Sequence, residues 1–123
     1  MTRVAGLLCV LLSLVCSPAL ATTCWVPKTP VSTGNNYQRN MFVVSGKWCG
    51  LVLLNTPGPM RGVRLIAPPT SGRVVISGQR ITYVSRRGYL GHDHFVFVRE
   101  GMDSGNRSVT WTIDMSVEVK ERL

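Results

Sequence analysis

The chain has 123 residues, with 14 Lys or Arg against six Asp or Glu, which gives a formal net charge of +8. This length accommodates one domain at most. Six carboxylates with no Asp-x-Asp run cannot build the oxygen-rich cage that calcium requires, so calcium binding is excluded as the primary function.

Residues 1–21 are predicted to be a cleaved secretory signal peptide. Arg3 gives a short positive start, residues 7–15 are apolar, and residues 19–21 form a small-x-small cleavage site. A retained membrane anchor is the alternative, but the apolar run is short for a bilayer and no later segment approaches the required length. We therefore expect a periplasmic, secreted or cell-surface protein with no membrane span after cleavage and no nucleic acid partner.

Two cysteines, Cys24 and Cys49, remain after the predicted cleavage. In an exported chain an isolated pair favours one disulfide, and closing a loop of about 25 residues stabilises by roughly 3–4 kcal/mol. Two free thiols or half of a metal site are the alternatives. Trp25 and Trp48 flank the two cysteines, so a bridge would bring both indoles to the same end of the molecule.

The rest of the chain is predicted to be all β. Residues 22–36 contain Pro27, Pro30 and Gly34 and predict an irregular or short-stranded lead-in to a domain over residues 37–123. The continuous run at residues 51–54 predicts a strand buried on both faces. No apolar pattern has helical spacing over ten residues, and about seven strands are predicted, at residues 37–44, 48–54, 63–67, 74–76, 81–83, 95–99 and 109–120.

The last of these strands has the clearest periodicity in the chain. Its apolar residues alternate with polar ones, which predicts a half-buried antiparallel strand. The apolar face comprises Val109, Trp111, Ile113, Met115, Val117 and Val119.

Residues 81–98 combine a strand, a glycine-containing corner and an aromatic strand. Gly88 and Gly91 permit backbone angles that other residues resist. Asp93 is placed to accept backbone N–H bonds and hold the corner, and Phe95 begins the next buried strand. This is the arrangement expected where a chain crosses between the two sheets of a sandwich.

These residues carry a resemblance to a known family. The stretch 69–74 follows a Pro-x-x-Gly-x-Val pattern, and 91–95 follows Gly-x-Asp-x-Phe. Together with the strand at 81–83, they resemble the bacterial immunoglobulin-like and cadherin-like modules of surface and adhesin proteins, over about residues 68–119. The resemblance implies an immunoglobulin-like antiparallel β-sandwich and a non-enzymatic interaction or structural role.

Arginine residues form the candidate binding site. Arg73 and Arg80 lie on the two arms of a predicted hairpin, where pairing would bring them together, and Arg86 and Arg87 lie in the corner. Their convergence would make an anion-binding patch, since guanidinium groups bind phosphate and carboxylate bidentately. The alternative is an evenly spread basic surface that reflects a genomic preference for arginine.

Catalysis and metal binding have weaker sequence support. No Gly-x-Ser-x-Gly elbow is present, and the few acids are scattered, so we expect no enzyme activity and no cofactor. His92 and His94 point to one face if extended and could hold copper or zinc, although no further ligand is evident. The sequence thus predicts an exported module that binds an envelope protein or an anionic glycan, with periplasmic metal handling as the alternative.

Overall fold

The structure is a computed structural model that describes residues 21–28, 30–53 and 58–123. The predicted signal peptide, apart from Ala21, lies outside the described residues. All regular structure in the described part is β, with strands β1 (Cys24–Trp25), β2 (Val31–Thr33), β3 (Asn36–Val44), β4 (Cys49–Val52), β5 (Met60–Ala67), β6 (Gly72–Ser77), β7 (Arg80–Ser85), β8 (Gly91–Met102) and β9 (Ser108–Lys120). No helix in these residues is long and apolar enough to cross a membrane.

The strands form two sheets. Sheet A has the order β1-β3-β9-β8-β5, with β2 also paired to β3, and sheet B has the order β4-β7-β6. The chain passes between the sheets after β3, β4, β5 and β7. Each sheet has one face on a shared apolar core, because period-two alternation gives its longer strands one apolar side, whereas β2 is exposed throughout.

The structure corrects two expectations about the strands. Nine strands are present in the described residues rather than about seven, because the lead-in contributes β1 and β2, which pair with β3. The prediction that β9 is purely antiparallel is wrong: β9 pairs antiparallel with β8 but parallel with β3 along nine residues. Periodicity reports which face of a strand is buried and carries no information about the direction of its neighbours.

The alternation predicted for β9 is present, with Trp111, Ile113, Met115 and Val117 buried against the core. The expectation that the strand at 51–54 is buried on both faces is wrong for its described part. Leu51 and Leu53 face the core, whereas Val52 is 50% exposed. Val52 lies on the outer side of sheet B, where Val75 and Trp48 are also exposed, so an apolar residue at this position stays exposed.

The predicted disulfide joins Cys24 on β1 to Cys49 on β4, with Cα atoms 5.2 Å apart. It therefore links sheet A to sheet B. Cys49 is fully buried in the core cluster. A disulfide of this kind is typical of proteins that fold in an oxidising compartment.

A second link between the sheets centres on Asp93, which is on β8 and only 6% exposed. Its carboxylate accepts hydrogen bonds from the Tyr83 hydroxyl at 2.7 Å, from the backbone N–H groups of Thr70 and Ser71 at 3.1 Å each, and from the His94 N–H at 2.9 Å. The Thr70 hydroxyl lies 3.4 Å from the same carboxylate. A buried carboxylate needs such donors to offset its lost hydration. Asp93 thereby joins β8, β7 and the connection between β5 and β6.

The corner itself is shorter than the sequence predicts. Only residues 86–90 leave the strands, and Gly91 to His94 already belong to β8. Gly88 and Gly91 have φ of 83° and 131°, a region that favours glycine. Phe95 is fully buried and stacks on Tyr83, with ring centroids 5.8 Å apart.

Removing the disulfide with the double variant Cys24→Ala/Cys49→Ala should lower the free energy of unfolding by about 3–4 kcal/mol, since a 25-residue loop is released in the unfolded chain. Urea denaturation followed by tryptophan fluorescence measures this loss. Reduced wild-type protein is the matched control and should show the same midpoint as the double variant. An unchanged midpoint in both would contradict the assigned role.

Stability should also fall in alkali because of Tyr83. Burial, and then the hydrogen bond to Asp93 and its negative charge, raise the pKa of the Tyr83 hydroxyl well above its ordinary value near 10. In the unfolded chain this tyrosine ionises above pH 10, whereas in the folded chain it stays neutral. Its contribution is therefore complete below pH 10 and is lost as the pH rises, with a slope that approaches about 1.4 kcal/mol per pH unit.

The measurement is urea denaturation between pH 9 and 11, with Tyr83→Phe as the comparison. The variant should be less stable at pH 8, because Asp93 loses a donor, yet its stability should decline less steeply above pH 10. Equal slopes in the two proteins would show that Tyr83 does not carry the alkaline sensitivity.

Candidate anion-binding face

The outer side of sheet B is the most distinctive surface of the molecule. Cross-strand pairing places Arg73 beside Val84, Val75 beside Thr82, and Ser77 beside Arg80. Trp48 directly precedes β4 and continues the cross-strand row of Arg73 and Val84. The residue is 49% exposed. We call the surface formed by Trp48, Arg73, Val84, Arg86 and Arg87 the basic face.

A groove of about 410 Å³ runs across the basic face, lined by Gly46, Trp48, Gly72, Arg73, Val84, Ser85, Arg86 and Arg87. The Arg73 guanidinium lies over the Trp48 ring, 5.1 Å from its centroid. The Arg86 guanidinium lies over Tyr89 at 5.9 Å. Cation–π contacts of this kind hold a guanidinium in place while leaving its N–H groups available to a ligand.

The loop that carries Arg86 and Arg87 is fixed by backbone hydrogen bonds from neighbouring segments. The Arg86 N–H donates to the Ser71 carbonyl at 2.8 Å, and the Tyr89 N–H donates to the Arg86 carbonyl at 3.1 Å. The Gly46 N–H donates to the Ser85 hydroxyl at 3.0 Å. Because Ser71 is itself held by Asp93, the buried carboxylate indirectly positions the arginines of the basic face.

Three of the four arginines singled out from the sequence therefore converge, and one does not. The prediction that pairing would bring Arg80 next to Arg73 is wrong. Arg73 pairs with Val84, whereas Arg80 pairs with Ser77 at the turn end of the hairpin. Arg80 and Val84 are four positions apart on β7, which is about 13 Å along an extended strand. Arg73 lies near the open end of the hairpin and Arg80 at its turn, so antiparallel pairing cannot place the two residues opposite each other.

The acidic residues of the chain are confined to sheet A and the segments beside it. Every Asp and Glu lies at position 93 or later, so β4, β6 and β7 contain none. Three of the acids lie next to basic residues on or beside sheet A: Asp114 contacts His94, Glu100 lies 3.0 Å from Arg64, and Glu118 lies 3.5 Å from Lys120. No ion pair among the described residues involves an arginine of the basic face. The potential there is therefore positive and uncompensated.

His92 and His94 lie on the exposed outer face of β8. His94 contacts Asp114 on β9, and the His92 carbonyl accepts a hydrogen bond from the Tyr89 hydroxyl. Within residues 21–28, 30–53 and 58–123, no group of three or more His, Cys, Asp or Glu side chains is arranged to hold a metal ion. The geometry of this pair thus adds nothing to the metal-handling alternative.

Two features of the basic face were missed from the sequence. The sequence marks Trp48 only as a neighbour of Cys49. The structure shows that its indole is exposed beside a strand, a position from which an aromatic ring can bind a ligand. The sequence also shows that the first 92 residues contain no acid. This predicts an acid-free surface only when β4, β6 and β7 are known to form one sheet.

The chain matches no protein-family model, and comparisons with curated proteins and with solved structures give no significant match.

Gly72 is required for the close approach of β6 to β7 beneath the basic face. A Cβ atom at Gly72 would lie 2.3 Å from the Val84 carbonyl oxygen and 2.9 Å from the Tyr83 ring. We expect Gly72→Ala to destabilise the protein by about 1–3 kcal/mol or more, because the backbone must move. Gly62→Ala is the matched control, since its Cβ would meet nothing within 4 Å. Thermal unfolding measures both, and equal losses would contradict the packing argument.

Proposed function

We propose that this protein is an exported, non-enzymatic binding module with an immunoglobulin-like fold that recognises anionic glycans through its basic face. The observation that carries the proposal is the convergence of Arg73, Arg86 and Arg87 with an exposed Trp48 around an open groove in an acid-free sheet. An exported location agrees with the disulfide between Cys24 and Cys49.

The strand order supports the immunoglobulin-like assignment. In that fold, strands B, E and D occupy one sheet and strands C, F and G the other. If β4 to β9 are taken as B to G in chain order, sheet B has the order B-E-D and the end of sheet A has the order C-F-G. The disulfide crosses between the sheets, as the disulfide of antibody domains does, but it starts from β1 rather than from β8.

The chemistry of the basic face suits sulfate, phosphate or carboxylate groups on a sugar chain. A guanidinium presents paired N–H donors that match two oxygens of such a group. The groove is open and shallow, so a linear polymer could lie across it and present successive anions to the three arginines. The Trp48 ring supplies an apolar surface between them.

A glycan explains this face better than a protein partner does. The buried cores of protein–protein interfaces are largely apolar, and although Arg and aromatic residues are enriched there, they are set among other apolar side chains. Here three arginines surround the centre of the groove, and the exposed apolar residues Val52 and Val75 are separated by Arg80 and Thr82 in the sheet register. Such a surface favours a ligand whose own surface is mostly polar and anionic.

The test uses heparin as a model sulfated glycan and the triple variant Arg73→Gln/Arg86→Gln/Arg87→Gln. Exposed ionic contacts contribute about 0.5–1 kcal/mol each. Loss of three should weaken binding about ten- to a hundred-fold and move elution from a heparin column to clearly lower salt.

The control is the triple variant Arg61→Gln/Arg107→Gln/Arg122→Gln, which removes the same charge from exposed positions outside the basic face. We expect it to elute close to wild type. If the two triple variants lose affinity equally, net charge alone attracts the glycan and the proposed site is wrong. Neutral dextran should not bind either protein.

A further inference from the structure

A second cavity lies between the inner faces of the two sheets, away from the basic face. Its volume is about 130 Å³, and it is open on one side. Its described lining combines aromatic and apolar side chains with two guanidinium groups and includes no carboxylate: Tyr37, Arg39, Leu53, Arg99, Trp111 and Ile113 line it together with Pro30.

Arg39 and Arg99 occupy positions that alternation assigns to the core. On β3, Arg39 lies two residues from the fully buried Met41, and on β8, Arg99 lies two residues from the fully buried Phe97. Side chains two residues apart on a strand point to the same face. Two cations therefore face the interior at one end of the sandwich, where burial of a charge is costly unless an anion or a set of acceptors compensates it.

The Arg39 guanidinium is only partly satisfied. One terminal nitrogen donates to the Pro27 carbonyl at 2.9 Å. Its Nε atom is sealed from solvent and has no hydrogen-bond partner among the described residues. Burial lowers the pKa of Arg39 below its ordinary value, which is the electrostatic sign of a cation with insufficient compensation.

Arg99 forms the other wall of the cavity. Its guanidinium lies over the ring of Trp111, 5.0 Å from the centroid, and desolvation by burial lowers its pKa as well. Trp111 is buried, in contrast to the exposed Trp25 and Trp48. The cavity thus has a cationic edge and an aromatic and aliphatic floor.

We propose that this cavity binds a small monocarboxylate with a compact apolar body, with the carboxylate between Arg39 and Arg99 and the body against Trp111, Leu53 and Ile113. The carboxylate would accept hydrogen bonds from guanidinium N–H groups of Arg39 and Arg99, the two cations that line the cavity. A cavity of about 150 Å³ admits a benzene molecule. The present cavity is slightly smaller but open on one side, so it can take the ring or short branched body of an acid with the carboxylate at its cationic edge, whereas the polymeric ligands proposed for the basic face do not fit.

Benzoate is the probe, titrated into the full chain produced by export with its disulfide formed. Binding is followed by NMR through the side-chain N–H signals of Trp111 and Arg39. We expect saturable shifts of both signals with a Kd of about 1 mM or tighter. Benzamide, which has the same shape without the charge, and acetate, which lacks the ring, should each bind at least ten-fold more weakly.

Arg39→Met keeps the length of the side chain and removes the charge. It should abolish benzoate binding while the melting temperature stays equal or rises, because a cation kept for ligand binding costs stability when the site is empty. Arg73→Met, on the basic face, is the control and should bind benzoate like wild type. Leu53→Phe, which fills the cavity from the opposite sheet without altering charge, should also abolish binding.

Three results would overturn the proposal. The first is unsaturable shifts spread over many arginines. The second is equal binding of benzoate and benzamide. The third is an Arg39→Met variant that binds benzoate normally, or that melts several degrees lower while Leu53→Phe still binds. Heparin affinity is measured separately on the same variants, so failure here is distinguishable from failure of the glycan site.

Discussion

The carboxylate of Asp93 is the interaction on which the rest of this structure depends. It accepts hydrogen bonds from Tyr83 on sheet B, from Thr70 and Ser71 in the connection between β5 and β6, and from His94 on its own strand. A single buried charge thereby joins both sheets at the point where the chain crosses between them. A charge in such a place is stable only when its donors are supplied together, so these segments are coupled in their folding.

The same interaction sets the geometry of the basic face. Ser71 donates its N–H to Asp93 and accepts the N–H of Arg86 through its carbonyl, and the next two residues are Gly72 and Arg73. Arg73 therefore lies on a paired strand, and Arg86 and Arg87 begin a loop that is hydrogen-bonded to Ser71 through Arg86. Preorganised donors lose less conformational entropy on binding than mobile ones, which makes such a surface suited to selecting anions.

Arginine occupies two different environments in this chain. On the outside of sheet B, Arg73, Arg86 and Arg87 lie on a sheet that contains no acids, and water and salt screen them. Between the sheets, Arg39 and Arg99 are half-buried, so water screens each charge less and it interacts more strongly with whatever lies beside it. The proposed ligands differ accordingly: extended polyanions for the open surface, and one small anion for the cavity between the sheets.

The all-β class, the disulfide, the buried face of β9, the corner role of Asp93 and the burial of Phe95 could all be predicted from the sequence, because they depend on the cysteine count and on patterns between neighbouring residues. The parallel pairing of β3 with β9, the exposure of Val52, the separation of Arg80 from Arg73 and the inward position of Arg39 could not. Each depends on which strand lies next to which, and that is decided by packing between segments distant in the chain. The sequence determined which side chains lie on each face of a strand. Only the tertiary structure decided which strands pair and which side chains therefore come into contact.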